Sequence, residues 1–168
     1  MQFSEGQTVI HPHHGPATVT KIVERRVRDR VLHYVYLTVH GTELEVAIPL
    51  ETADEIGLRA VCGREQITAL LEVLAAPSDQ EEQQWSRRMK ANHERLRTGE
   101  LLIVASLIRD MTRRSEEHGL SAGERDLLKL ARRPVLAEIA LSLGLSEEDA
   151  TELLESAVEG RTSMSVAV

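Results

Sequence analysis

The sequence predicts an α+β chain, a small β domain followed by an all-α domain, because its hydrophobic period changes once along its length. Over the first 50 residues several apolar stretches alternate by two and are rich in Val, Ile, Thr and Tyr. From Glu51 onward apolar residues recur at helical spacing instead. With 168 residues, 42% of them hydrophobic, there is enough apolar material for two modest cores.

The β region is read as Thr8–Ile10, Ala17–Val23, Leu32–Val39 and Glu43–Ile48. Val35, Leu37 and Val39 share one strand face, as do Leu44, Val46 and Ile48. Turn signals separate these stretches at His11–Pro16, Asp29–Arg30 and His40–Gly41, and Pro49, which cannot donate to a ladder, closes the last one. Four or five short strands in about 50 residues predict a small, strongly bent sheet or barrel of the SH3 or Tudor kind. Its edge strands offer a docking surface for another protein's strand.

Ile67, Leu70, Leu71 and Leu74 then mark a helix expected to pack near the sheet, stopped at Ala75-Ala76-Pro77. The polar run that follows places a domain boundary there: residues 1–76, then a helical domain over 77–160, then a disordered tail over 161–168. Four helices are read in the second domain. The first carries Trp85, Met89 and Leu96, and the next Leu101, Val104, Ala105, Ile108 and Met111. Ser121 to Glu124 is a capping box that opens a third through Leu127, Leu128 and Ala131. Pro134 should kink it or restart a helix with Leu136, Ile139 and Leu143; Ser146 opens the last, with Leu153, Leu154 and Val158.

No apolar run approaches a membrane span, and the start does not read as a signal peptide. The single cysteine, Cys62, excludes a disulfide framework and any cysteine-based zinc site, so a cytoplasmic location is expected. The net charge of −7 is unevenly spread: residues 1–84 carry −6, residues 85–133 carry +5 and residues 134–168 carry −6. A positive middle between negative flanks is a local footprint for an anionic partner that the total conceals.

Catalytic constellations are lacking. The HPHHG stretch places His11, His13 and His14 together, with His33 and His40 as more distant candidates, yet no HExxH or carboxylate motif accompanies them. A turn whose histidines bond backbone or solvent is the better reading than a metal site, and no metal or other cofactor is expected. There is no nucleophile elbow, Walker loop or dinucleotide fingerprint, and Cys62 reads as a structural thiol. The chain is expected not to be an enzyme.

The informative segment is Trp85-Ser-Arg-Arg-Met-Lys-Ala-Asn92. On a helix Arg87, Lys90 and Arg97 lie near one face, with Arg88 and Arg95 alongside. Spacing puts Trp85 on a stripe with Met89 and Leu96 and so favours a core position; a tryptophan rimmed by cations would alternatively wedge against a nucleic-acid base. A second basic set, Arg109, Arg113 and Arg114, then Arg125, Lys129, Arg132 and Arg133, brackets the Gly119–Ser121 turn. Cations in a helix's last turn follow from the macrodipole, but Arg125 beside a helix start runs against it and points to an anion.

Three gap-free blocks, GQTVIHPHHG (Gly6–Gly15), WSRRMKAN (Trp85–Asn92) and GLSAGERDLL (Gly119–Leu128), resemble the CarD family of bacterial transcription regulators, in the actinobacterial style, and the similarity runs from about Phe3 to Val158. The resemblance implies a Tudor-like domain that docks on the β subunit of RNA polymerase and a helical domain that contacts promoter DNA weakly and with little sequence preference. It also implies nucleoid association through polymerase. Trp85 would wedge into the minor groove at the upstream edge of the transcription bubble and stabilise the open complex. Arg87, Arg88, Lys90 and Arg125 would face the DNA backbone, with Arg114 nearby. Arg25, Val46, Ala47 and Ile48 would meet the polymerase. Ala47 replaces the family's usual arginine, which bears on part of the implied polymerase contact; Met89 replaces a common aromatic; and Asp126 replaces a basic residue, which should weaken the phosphate grip. The competing reading is a protein–protein adaptor whose basic helices bind acidic protein surfaces, with no direct DNA role.

Overall fold

A computed structural model of the chain describes residues 2–27, 30–78 and 82–161. Contacts divide the chain into two compact units, Met1–Val61 and Cys62–Val168. The division falls before the first long helix rather than after it, which moves the boundary expected at residue 77. The expected turn at Asp29 and the expected disordered tail from Thr162 onward lie outside the described residues.

The first unit is a five-stranded antiparallel sheet: β1 (Thr8–His11), β2 (Gly15–Val27), β3 (Arg30–Val39), β4 (Glu45–Pro49) and β5 (Arg59–Ala60), in the order β4-β3-β2-β1-β5. A turn of 3-10 helix (Leu50–Thr52) and the short helix α1 (Ala53–Ile56) lie between β4 and β5. The core faces read from alternation are present: Val35, Leu37 and Val39 are buried with Val9, Ala17, Val19, Ile48, Ala53 and Leu58. Leu44, by contrast, precedes β4 and is exposed.

Strict alternation from Ala17 and Val19 would also drive Lys21 into this core. A bulge prevents it. Val19 pairs with Leu37 and Lys21 with Tyr36, so Thr20 is an extra residue, and its hydroxyl donates to the Tyr36 carbonyl at 3.2 Å. The insertion resets the phase of β2, turning Lys21 outward and Ile22 toward the core. In the β1–β2 turn, the buried His11 uses Nδ1 to accept N–H bonds from His13 (3.1 Å) and His14 (3.3 Å). Burial, then repulsion from His14 and His13, lowers its pKa, which keeps that nitrogen available as an acceptor. Among the described residues no group of three or more His, Cys, Asp or Glu is arranged to hold a metal ion.

The second unit contains α2 (Arg64–Ala75), α3 (Trp85–Arg97), α4 (Leu101–Glu117), α5 (Ala122–Leu143) and α6 (Glu147–Val158). Ile67, Leu70, Leu71 and Leu74 of α2 are buried in one core with Val104, Ile108, Leu127, Ile139 and Leu154. The apolar face of α2 therefore belongs to the helical core and not to the sheet. Helical period reveals that a face is apolar but not which core covers it.

Pro134 lies inside an unbroken 22-residue α5. A proline there removes the bond to the carbonyl of Leu130, and both residues are exposed, so water can satisfy that oxygen. Two arginines of α4 close the core by capping its neighbours. Arg113 donates to the carbonyls of Leu74, Ala75 and Ala76 at the end of α2 and of Val158 at the end of α6, and Arg109 donates to that of Val73. These carbonyls have no further helical partner or lie at the helix ends, so the guanidinium groups replace water there. Among the described residues no helix is long and apolar enough to cross a membrane.

Candidate nucleic-acid interface

Trp85 opens α3, with Gln84 as a cap that makes no side-chain bond. Trp85 is 52% exposed, against the core position that its spacing favours. The inward stripe of α3 starts one turn later: Arg88 and Asn92 are buried, and Met89 and Leu96 pack on the core. Met89 reaches toward α5, its Cε 3.7 Å from where a Cβ on Gly123 would stand. Trp85 is thus the member of the stripe that projects past the packed helices.

The indole is nonetheless held. Its Nε1 donates to Ser121 Oγ at 3.3 Å. The Ser121 hydroxyl donates in turn to Glu124 Oε2 at 2.7 Å, and the Ser121 N–H donates to the same oxygen at 2.9 Å. The other oxygen, Glu124 Oε1, accepts from Arg88 Nε at 3.1 Å, with Arg114 Nε at 3.8 Å. Arg88 also donates to the carbonyls of Glu82 (2.9 Å) and Gln83 (3.2 Å), the residues just before the tryptophan.

The predicted cations separate into two groups. Arg87, Lys90 and Arg125 are exposed, and Arg125 donates to the carbonyl of Leu120 at 2.6 Å. Arg88 is 6% exposed and paired with an equally buried carboxylate, so it does not present a charge to the surface as expected. Arg114 is half-buried beside the same carboxylate. Part of the positive middle is likewise paired within the fold, Arg95 and Arg109 with Asp110 and Arg132 with Glu155, whereas Arg97 pairs with Glu94 at the exposed surface.

On the sheet unit, the bulge at Thr20 gathers a second cationic surface. Lys21 Nζ stands 4.5 Å from the centre of the Tyr36 ring, and the exposed Arg25 guanidinium stands 5.5 Å from Tyr36 and 5.9 Å from Tyr34. Ala47 is exposed and pairs with Tyr36, whereas Val46 is half-buried and Ile48 is in the core. The Ile48 side chain is therefore not available to a partner. β4 lies first in the sheet order, so one side of it has no strand neighbour among the described residues.

Residues 69–155 match the family model described as CarD, C-terminal domain, and residues 3–62 match the CarD-like/TRCF RID domain. The chain belongs to the CarD family. It is also 23% identical over 146 residues to a Bacillus subtilis (strain 168) protein named "Putative transcription factor YdeB", covering 87% of this chain and 95% of that one. These matches give the CarD-family chain a transcription-related role.

Within this CarD-family site, two features were not legible as such. Lys21, Tyr34 and Tyr36 join Arg25 only through strand register and the bulge. Ser121 was legible as a helix cap, but its bond to the indole is a contact across 36 residues. The carboxyl of Glu124 is pushed up by burial, yet the hydroxyl and N–H of Ser121 and the Arg88 guanidinium outweigh this and hold its pKa below the ordinary carboxylate value. Folding therefore favours its ionised form. That contribution is complete above the unfolded-chain pKa and is lost as pH falls through the lower folded value. The denaturation midpoint of the helical unit is expected to fall across the acid range, as pH drops below the ordinary carboxylate value, and Glu124→Gln to flatten that fall. Equal slopes for the two proteins in urea melts across this range would exclude the linkage.

Proposed function

We propose that this CarD-family chain is a non-catalytic transcription regulator that docks on the β subunit of RNA polymerase and stabilises the open promoter complex by placing Trp85 in the minor groove at the upstream edge of the bubble. One observation carries the reading: the chain's single tryptophan is half exposed at a helix start, with the exposed Arg87 and Lys90 on the same helix. Arg125 supports it, one residue beyond the glutamate that buttresses the indole's partner.

The magnitudes require a tether. Three phosphate contacts, from Arg87, Lys90 and Arg125, would release about three counterions, which gives weak binding that falls steeply with salt. A net charge of −7 weakens it further. Docking on polymerase raises the effective concentration at the promoter, so a low intrinsic affinity suffices. Wedging costs a few kcal/mol where a base step must be unstacked and less where melting has already separated the strands. The regulator thus binds open DNA better than closed, and about 1.4 kcal/mol of that preference changes the ratio tenfold.

The test is the lifetime of a competitor-challenged open complex on a defined promoter, with and without the protein. A longer lifetime is expected, and an unchanged one overturns the reading. Docking is tested separately. Arg25 stands on the outer, aromatic face of the sheet beside Lys21. Arg25→Glu replaces its cation with an anion and should weaken capture of the β subunit about tenfold without altering the melting midpoint. Undiminished capture would remove Arg25 from the docking surface.

A further inference from the structure

Resting on that reading of Trp85, we propose that Ser121 is a positioning residue that presets the indole for DNA, with the buried Glu124–Arg88 pair holding the serine hydroxyl in its accepting orientation. A hydroxyl has one proton and two lone pairs. The proton of Ser121 is directed to Glu124 Oε2, 2.7 Å away. Its lone pairs then face the two donors on the other side, the indole Nε1–H and the Glu124 backbone N–H, both at 3.3 Å.

Glu124 can orient the hydroxyl this way because it is itself immobile. It is 3% exposed, its Oε2 also accepts the Ser121 N–H, and its Oε1 accepts Arg88 Nε. Arg88 holds the backbone that leads into α3, through the carbonyls of Glu82 and Gln83. A half-exposed tryptophan without these bonds would sample several rotamers and lose that freedom on meeting DNA. Here the loss is met in folding, so more of the stacking energy appears as affinity.

Two consequences follow for the DNA. The indole N–H is occupied and does not read a base edge, so the ring engages bases by its face and edges, with little sequence preference. Arg88, placed by sequence among the phosphate contacts, acts on DNA through the tryptophan.

The experiment uses the full chain with polymerase on a defined promoter, comparing Ser121→Gly, Ser121→Thr and Trp85→Ala. Glycine is nearly as good an N-cap as serine, so Ser121→Gly keeps the start of α5 while removing the hydroxyl and its bond to the Glu124 carboxylate; threonine restores the hydroxyl. All measurements are made below the melting transitions, so that lost helix cannot mimic lost positioning. Ser121→Gly should add a fast component to the fluorescence anisotropy decay of the lone tryptophan and shorten the open-complex lifetime two- to tenfold, roughly one hydrogen bond's worth. Ser121→Thr should restore both. If Ser121→Gly changes neither while Trp85→Ala shortens the lifetime, the positioning role falls and the wedge stands. If Trp85→Ala leaves the lifetime unchanged, the wedge falls and the positioning role with it.

Discussion

Replacing Trp85 with alanine is expected to shorten the lifetime of the open complex about tenfold or more while leaving polymerase capture intact. Stacking of a base on an aromatic side chain is worth roughly 1–3 kcal/mol by alanine substitution, which corresponds to a factor of about 5 to 150. The middle of that range is taken because the ring is already held by Ser121 and loses little freedom on binding. The fold should tolerate the change, since Trp85 is 52% exposed and its indole N–H bonds an exposed hydroxyl that water can replace. The two readouts are competitor-challenged lifetime and thermal melting. A folded variant with an unaltered lifetime would defeat the wedge.

Arg88→Met should behave in the opposite way, as a folding variant first. It takes the Arg88 guanidinium from the buried Glu124 carboxylate and removes the donor to the Glu82 and Gln83 carbonyls. Breaking one side of a buried ion pair costs about 3–5 kcal/mol. The lower end is expected here, because Arg114 Nε stands 3.8 Å from the same carboxylate oxygen. The midpoint of chemical denaturation should drop accordingly, and Glu124→Gln in the same chain should recover part of it by removing the unpaired charge. A residue that only touched phosphate would leave the midpoint alone and reduce the salt slope of DNA binding by about one. An unaltered midpoint with a smaller slope would return Arg88 to the surface.

These contrasting expectations concern neighbours three residues apart in one basic block, and sequence did not separate them. Spacing shows where each side chain lies around a helix, so Arg87, Arg88 and Lys90 read alike as cations on a charged helix. Arg88 is buried because Glu124, 36 residues later, is brought against it by the packing of α3 on α5. Trp85 is exposed because that packing begins at Arg88 and Met89. Arg109 and Arg113 read as cations near a helix end, and both instead cap other helices, a role that exists only once α2 and α6 lie beside α4.

What the residues determined by themselves was local or periodic. Alternation at Val35, Leu37 and Val39 set the core face of β3; the stripe at Val104, Ala105, Ile108 and Met111 set that of α4. The Ser121–Glu124 box, with both reciprocal bonds made, started α5 where its spacing said it would. The family was legible too, in contiguous blocks. Tertiary structure alone decided which core received α2, which cations stayed in water, and that the hydroxyl capping α5 also holds the indole at the start of α3. The reason is range: capping and amphipathic period are fixed within a turn or two of chain, whereas burial of a charge depends on a partner that sequence distance does not reveal.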